Sequence, residues 1–339
     1  MTTSAILLLL TSLFLVEKSS TLKENKIFSN ELQTVVFLNK ESASTYLSNS
    51  SFYEKTNDYL DASIRLEQDL STNTKEVNKT KLKNYALDQT LNWEAKEIKR
   101  VYSIFLEAQE LINSKSKNVL QDTLYLIKTT GKEEFDAHYT VNKAIVIPKT
   151  ELKFLWIKPR RLNVMGTYIH EYLHIFTRYN LSEREEMYAT IGFHPIDDFV
   201  IEDDLNNQRI TNPDFLDLGY SITLTDSLQN RNEYTLLIIS KHNKFDGKKG
   251  VIGQFNTLLG YVDLGLFKVD ENGRITNERI SLNNEEFYEK IGRISTYRYG
   301  ADEIIAEAFK VMITEDYHNN NNYSSRDKEI LDKIKAILE

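Results

Sequence analysis

The pattern of apolar and polar positions changes along the chain near residue 122. Residues 21–121 are mostly polar with helical periodicity, and the Asn-, Ser-, Thr- and Lys-rich stretch 48–83 predicts loops. Beyond residue 122, short β-branched and aromatic runs at 123–128 and 143–148 are bounded by turn residues, which predicts strands. We therefore expect a helical N-terminal region followed by a domain with a short sheet.

A long helical pattern lies at 160–179. After it, Ser182 and Glu185 have the spacing of a capping box, in which each side chain bonds the other residue's backbone N–H. This spacing predicts a second helix at 183–191. The run 143–148 before these helices is expected to be an edge strand, along which an extended peptide could pair by main-chain hydrogen bonds.

Strand-like runs separated by turn residues occupy 219–269, and helical patterns return after them. One helix is expected at 301–314. The asparagine run that follows it ends the helical pattern. Another is expected in 319–339, because Ser324 and Asp327 offer a cap for it. The sequence as a whole therefore predicts an α+β fold with a long β-containing region between two helical ones.

An apolar run of 12 residues lies at 5–16, near the start of the chain. A membrane-spanning helix needs about 20 such residues, so the run indicates a signal peptide and no stable membrane span. We expect a secreted or extracytoplasmic protein of bacterial type. The predicted organisation is a signal peptide at 1–20, a helical N-terminal region at 21–121, a central domain at 122–318 and a C-terminal helix at 319–339.

Composition and charge restrict the chemistry. Lys and Arg number 42 against 50 Asp and Glu, and a net charge of −8 repels phosphate backbones, so no nucleic-acid partner is expected. The chain has no cysteine, which excludes disulfides, thiolate metal sites and cysteine nucleophiles. Any catalysis must therefore use histidine, carboxylates, serine, tyrosine or a metal ion.

His170, Glu171 and His174 form an H-E-x-x-H motif within the predicted helix 160–179. Residues four apart share one face of a helix, so both imidazoles can bind one cation, with one zinc ion per chain as the expected cofactor. Glu171 lies one position round the helix, where its carboxylate can take a proton from a water molecule at that cation. The motif predicts a catalytic zinc site.

Such a site needs a third protein ligand, and the sequence offers two candidates. Glu185 and Glu186 are near in sequence but belong to a charged run. Glu303 lies among apolar residues in the predicted helix 301–314, and Glu307 one turn later could hold the second ring nitrogen of a ligand histidine. Because a metal ligand must be buried and oriented, we expect Glu303 to be the third ligand.

The H-E-x-x-H motif with a distant E-x-x-A-E-x-F segment resembles the gluzincin metallopeptidases, including the lethal-factor-like group. A closer likeness is to predicted bacterial secreted zincin-like proteins, which share the segment Arg209–Asp214 and a tyrosine before the glutamate helix. The resemblance implies a zinc endopeptidase acting on a peptide or protein substrate, with Glu171 as base. His170, His174 and Glu303 would be the ligands. Glu303 follows His174 by 129 residues, much farther than in thermolysin-like enzymes.

Other residues are weaker candidates. Tyr297 matches the tyrosine of the resembled family and could donate a hydrogen bond to a developing oxyanion, as could Tyr299 or His242. The remaining lone histidines are expected at the surface or in the core. The segment Asn212-Pro213-Asp214 is expected to be a turn with a structural role.

Three alternatives to an endopeptidase stay open at this point. The chain could be a non-catalytic secreted binding protein that keeps a zincin scaffold, or a structural protein in which the motif packs the core without a metal. A di-iron helix bundle could also use the Glu171/His174 pair together with Glu315 and His318. The oligomeric state and the cleavage preference do not follow from the sequence.

Overall fold

The structure is a computed structural model that describes residues 23–55, 59–117, 119–215, 219–247, 258 and 260–339. Helices and strands are both abundant, which confirms the α+β class. The predicted signal peptide at 1–20 lies outside the described residues, as does a strand-like part of the region 219–269 at 248–257. No helix in the described ranges is both long and apolar enough to cross a membrane.

The strands and helices follow the chain in an irregular alternation. The strands are β1 Lys26–Ser29, β2 Thr34–Phe37, β3 Thr90–Leu91, β4 Thr123–Thr129, β5 Tyr139–Val141, β6 Ala144–Pro148, β7 Phe193–Pro195, β8 Val200–Ile201, β9 Tyr220–Thr225, β10 Arg231–Ser240, β11 Val262–Val269 and β12 Arg274–Ile280. The helices are α1 Lys40–Ser48, α2 Phe52–Lys55, α3 Tyr59–Leu66, α4 Lys75–Asp88, α5 Ala95–Lys115, α6 Lys158–Tyr179, α7 Leu181–Thr190, α8 Asp203–Gln208, α9 Glu285–Ile291, α10 Ala301–Thr314 and α11 Ser325–Leu338.

The first sheet joins the N-terminal region to the central domain. Its order is β1-β2-β4-β6-β5, and β3 pairs with β4. The region 21–121, expected to be helical, contains helices α1 to α5 but also contributes β1, β2 and β3 to this sheet, which the sequence did not predict. The predicted loops at 48–83 are wrong. Helices α2, α3 and α4 occupy much of that stretch, where their few apolar residues pack on neighbouring elements that the local sequence does not reveal.

The prediction that the strand at 143–148 lies at the edge of the sheet is also wrong. Strand β6 lies between β4 and β5, because the chain turns back on itself at Asn142, whose φ of +51° is one that asparagine tolerates well. The edge strand next to β6 is β5, whose three residues are buried and whose backbone is partly bonded already. The Thr140 N–H donates to Asp214, and the Asn142 carbonyl accepts from Arg178.

The second sheet fills the long interval between the two predicted metal-binding segments. Its order is β7-β9-β10-β11-β12-β8, mostly antiparallel. One hydrophobic core contains residues of both sheets and of the long helices, from Val35 to Leu338. The predicted division at residue 121 therefore does not coincide with a break in this core.

Helix α6 carries the H-E-x-x-H motif through the centre of the molecule. It begins with Pro159 in its first turn, a position where the missing N–H costs nothing, and is buried along most of 164–177. The ring of Phe105 on α5 stacks 4.2 Å from that of Tyr168 on α6. The next helix, α7, begins at Leu181 with Asn180 as its cap, so the predicted Ser182 cap is wrong. Because α6 ends only at Tyr179, the chain turns before Ser182 can act as a cap.

Helices α10 and α11 end the chain as the sequence predicts. Helix α10 covers Ala301–Thr314, and α11 covers Ser325–Leu338 behind a capping box of Ser324 and Asp327. The first turn of α10 faces the middle of α6, and their packing brings the two predicted metal-binding segments together.

Candidate metal centre

The three predicted ligands meet between α6 and α10. His170 and His174 lie one turn apart on α6, with their Nε2 atoms 2.9 Å apart. Glu303, in the first turn of α10, places Oε2 3.1 Å from His170 Nε2 and 3.4 Å from His174 Nε2. All three residues are buried. The structure therefore brings together the three side chains that the sequence nominated.

The donor set and its spacing fit zinc. Three ligand atoms that each lie about 2.0–2.2 Å from a tetrahedral zinc ion are about 3.3–3.5 Å apart from one another. The donor separations of 2.9, 3.1 and 3.4 Å lie close to that range. Two imidazole nitrogens and one carboxylate oxygen are also a set that zinc prefers. The geometry accommodates a cation, although the donors alone do not select zinc from related divalent metals.

The second nitrogen of each histidine has a carboxylate beside it. His174 Nδ1 is hydrogen-bonded to Asp302, which also accepts a 2.8 Å bond from the Tyr188 hydroxyl. His170 Nδ1 lies 3.0 Å from Glu307 Oε1, the partner expected from the sequence. Such contacts fix the ring orientation and leave Nε2 directed at the centre.

Glu303 is oriented in the same way. Its Oε1 accepts a 2.6 Å hydrogen bond from the amide of Asn212, which leaves Oε2 to face the histidines. Asn212 thus holds the ligand carboxylate, and the expectation of a purely structural turn at this residue is too narrow. We call His170, His174, Asp302, Glu303 and Glu307 the histidine cluster.

The electrostatics of the histidine cluster favour positive charge. Burial disfavours the charged imidazolium, but the carboxylates of Glu303 and Glu307 outweigh it and raise the pKa of His170 to about 9. The pKa of His174 is likewise raised, by Asp302 and Glu303 against the effect of burial. Burial opposes ionisation of Glu303 too, yet the two histidines lower its pKa. The site concentrates negative charge around its donors, as a cation-binding centre requires.

Glu171 is directed into the site without joining the three ligands. It is 4% exposed, and its Oε2 has no hydrogen-bond partner among the described residues. Burial and the nearby Asp214 carboxylate raise its pKa to about 8. A buried carboxyl oxygen that bonds none of the described residues is available to exchange a proton with a bound molecule.

Asp214 is a further carboxylate of the site. Ligand atoms of Glu171, His174 and Asp214 lie within 4.8 Å of one another. Asp214 accepts hydrogen bonds of 2.6 and 2.5 Å from the backbone and hydroxyl of Thr140 on β5. The segment that carries Asn212 and Asp214 is therefore tied to the first sheet on one side and to Glu303 on the other.

A second buried group of charges fixes the start of that segment. Arg65 on α3 contacts Asp61, bonds both oxygens of Glu134 at 3.0 and 3.1 Å, and donates to the carbonyl of Thr211 at 2.6 Å. Asp61 in turn accepts from the backbone N–H of Thr211 at 3.3 Å and from its hydroxyl. We call Asp61, Arg65, Glu134 and Thr211 the arginine cluster. Through it the N-terminal third of the chain positions the centre.

A cavity of about 250 Å³ extends from the arginine cluster towards the centre. Asn212, Asp214 and Tyr297 form its side nearest the histidines. Much of its remaining wall is apolar and consists of Phe135, Tyr139, Ile210, Ile238, Leu258 and Val262. The cavity has the size and apolar lining of a site for a large side chain.

His138 also lines this cavity. Its Nε2 is buried and has no hydrogen-bond partner among the described residues. Burial, with the nearby charges of Arg160 and His170, lowers its pKa to about 3, so the ring is neutral at pH 7. The sequence indicated only a surface or core histidine here, and no local pattern around His138 distinguishes it from one.

Comparison with family models, with curated proteins and with solved structures finds no match for this chain. The site is therefore interpreted from its own residues. Two histidines and one glutamate form a buried group that could hold a metal ion, and the buried carboxylate of Glu171 lies beside it.

The tyrosines and His242 divide into near and far candidates. Tyr297 is 42% exposed, and its ring centre lies 6.1 Å from that of His170 and 4.6 Å from that of Tyr299. The charge of Glu303, together with burial, raises the pKa of Tyr297 well above its usual value, so the phenol keeps its proton. His242 instead packs on Tyr261 and is absent from the lining of the cavity at the centre.

The alternative ligands lie apart from the centre. Glu185 and Glu186 are exposed on α7. Glu315 accepts hydrogen bonds from Asn320 and Tyr323, while His318 pairs with Asp332 near the C-terminal helix. Neither pair joins the metal-binding groups found among the described residues, so the structure favours neither Glu185/Glu186 as ligands nor a di-iron site.

Sequence reasoning missed Asp302 and the roles of Asn212 and Asp214. Asp302 directly precedes Glu303, so the pair of adjacent acids at a helix start could have identified it as a partner for a second ligand. Asn212 and Asp214 belong to the segment that carried part of the family resemblance. Their functional contacts join residues 91 and 74 positions apart in the sequence, which no local pattern predicts.

Proposed function

We propose that the protein is a zinc-dependent endopeptidase, with His170, His174 and Glu303 as the zinc ligands and Glu171 as the general base. The observation that carries the proposal is the convergence of these three donors beside a buried Glu171 whose Oε2 has no hydrogen-bond partner in the part of the chain that the structure describes. The apolar cavity next to them supports a substrate with side chains, such as a peptide.

Zinc at this centre would polarise the carbonyl of the substrate and lower the pKa of a water molecule from about 15.7 towards about 7. The protein's own contribution is to hold and move the proton. Glu171 Oε2 would accept it from the attacking water and then deliver it to the amine that leaves. Asp302, Glu307 and Asn212 would keep the ligand side chains in position during the proton transfer.

Substrate binding would use the cavity beside the centre. Its apolar wall favours a large apolar side chain next to the cleaved bond, and the unpartnered His138 Nε2 would accept or donate one hydrogen bond at its inner surface. Tyr297, with a phenol that stays protonated, would donate a hydrogen bond to the oxygen on which negative charge develops. We also propose that the protein is secreted, and this part of the proposal rests on the apolar run at 5–16 alone.

Metal dependence of peptide cleavage tests the proposal. We expect the purified protein to cleave a mixed peptide library, to lose this activity with a chelator and to recover it with about one equivalent of zinc. Cleavage products should share a large apolar residue beside the cut. Zinc binding without any cleavage would instead support a binding protein on a zincin scaffold, and an absence of zinc binding would refute both.

A further inference from the structure

Four large apolar side chains are exposed within nine residues of the chain. Phe154, Trp156, Ile157 and Leu162 are 54, 63, 46 and 47% exposed. The first three lie in the loop that leads into α6, and Leu162 lies near the start of that helix. Soluble proteins rarely leave several large apolar side chains together at the surface without a use for them. We call these four residues, with Lys149, Lys153 and Lys158, the tryptophan patch.

The loop is anchored so that its apolar side chains stay at the surface. Leu152 and Leu155 of the same loop are buried in the main core, so they anchor it while their neighbours face solvent. Phe154 adopts a φ of +61°, a conformation that a bulky residue rarely takes. Its ring packs 5.3 Å from that of Trp156, and the guanidinium of Arg100 lies 5.2 Å from the Trp156 ring centre. The exposed aromatic rings thus have a fixed position.

The charge around the patch is opposite to that of the whole chain. Residues 149–162 contain five basic side chains and one acidic one, whereas the chain carries a net charge of −8. Arg160 and Arg161 pair with acidic residues. Lys149, Lys153 and Lys158 are exposed and form no ion pair in the described part of the chain. Apolar side chains surrounded by uncompensated lysines match the two layers of an anionic membrane surface.

We propose that the tryptophan patch docks the protein on the surface of a bilayer that contains anionic lipids. Trp156, Ile157 and Phe154 enter the boundary between headgroups and acyl chains, where tryptophan is favoured. The lysines extend to the phosphate groups while their alkyl stems cover the apolar rings. A second copy of the chain is a poorer occupant, because two basic patches repel each other at a symmetric contact. The proposal is independent of the proposed peptidase function.

The two tryptophans of the chain make the test specific. Trp93 is buried at 1% exposure, so the exposed Trp156 is the tryptophan whose surroundings a lipid surface would change. The full chain is mixed with vesicles of phosphatidylcholine alone or with a third of phosphatidylglycerol. We expect sedimentation with the anionic vesicles, a blue shift of tryptophan emission and quenching by brominated acyl chains. Binding should weaken as salt rises, since ions screen exposed charges.

Exposed substitutions give matched controls. Trp156→Ser and the pair Lys153→Gln with Lys158→Gln should each lower vesicle binding by about tenfold or more, with an unchanged circular dichroism spectrum. Leu228→Ser, which replaces a side chain 79% exposed elsewhere, and Lys333→Gln should leave binding unaltered. No binding by the wild type, or equal binding by wild type and patch variants, would overturn the proposal. So would a concentration-dependent dimer that Trp156→Ser abolishes without any lipid binding.

Discussion

The arginine cluster and the histidine cluster are both buried, yet they differ in how their carboxylates are paired with positive groups. In the arginine cluster, Arg65 lies between Asp61 and Glu134 and uses its guanidinium donors on them and on Thr211. The histidine cluster gathers three carboxylates around two imidazoles, and Glu171 and Asp214 add two more beside it. The first group sets one cation against two carboxylates, whereas the second sets two imidazoles against five carboxylates and gains most from a cation that it binds.

This difference is our reason for assigning a structural role to the arginine cluster and the proposed function to the histidine cluster. Burying charges costs free energy unless they are paired, so a chain keeps an unbalanced group only where a ligand completes it. The loop 211–214 connects the two, since Thr211 belongs to the arginine cluster and Asn212 bonds Glu303. The arginine cluster therefore supports the loop that aligns the histidine cluster.

The largest effect is expected from removing a ligand. Glu303→Ala should lower the zinc content from about one ion per chain to below about 0.1, because two histidines alone cannot complete the centre. Glu185→Ala, which changes an exposed glutamate outside the cluster, is the matched control and should retain the metal. Metal analysis after dialysis measures both. A Glu303→Ala protein with full zinc content would show that another group, such as Asp214, is the third ligand.

Removing Arg65, the cation of the arginine cluster, should instead destabilise the fold. Arg65→Met leaves two buried carboxylates without their cation and should lower the free energy of unfolding by about 3–5 kcal/mol. Arg161→Met removes a more exposed arginine paired with Glu107 and should cost less than about 1 kcal/mol. Urea unfolding in the presence of chelator gives the two values. Equal values would contradict the structural role assigned to the arginine cluster.

The sequence predicted one part of this arrangement much better than the other. Helix α6 followed from helical spacing without glycine or proline at 167–178, and Glu303 followed from the apolar residues around it. Both are local properties of a few turns of helix. The contacts of Asp61 with Thr211 join residues 150 positions apart, and the entry of β1 and β2 into the sheet is equally non-local. Such pairings depend on the whole fold, so spacing along the chain does not reveal them.

Smaller effects are expected from the residues that hold the ligands. Asn212→Ala frees Oε1 of Glu303, and Asp302→Asn removes the negative charge beside His174 Nδ1. Each should lower zinc affinity by about 10- to 100-fold while the fold persists. Competition with a fluorescent zinc chelator measures the affinity, and Asn232→Ala, in the second sheet, serves as the control. Unchanged affinity in both variants would mean that the ligands keep their orientation without these partners.

In the proposed mechanism Glu171 transfers the proton without being a zinc ligand. The most direct measurement is a time course of peptide cleavage by wild type and Glu171→Gln, with zinc quantified in both proteins. Glutamine keeps the size of the side chain but cannot accept the proton. The account predicts equal zinc content and a loss of cleavage of at least about 100-fold. Equal cleavage by the two proteins at equal zinc content would contradict it.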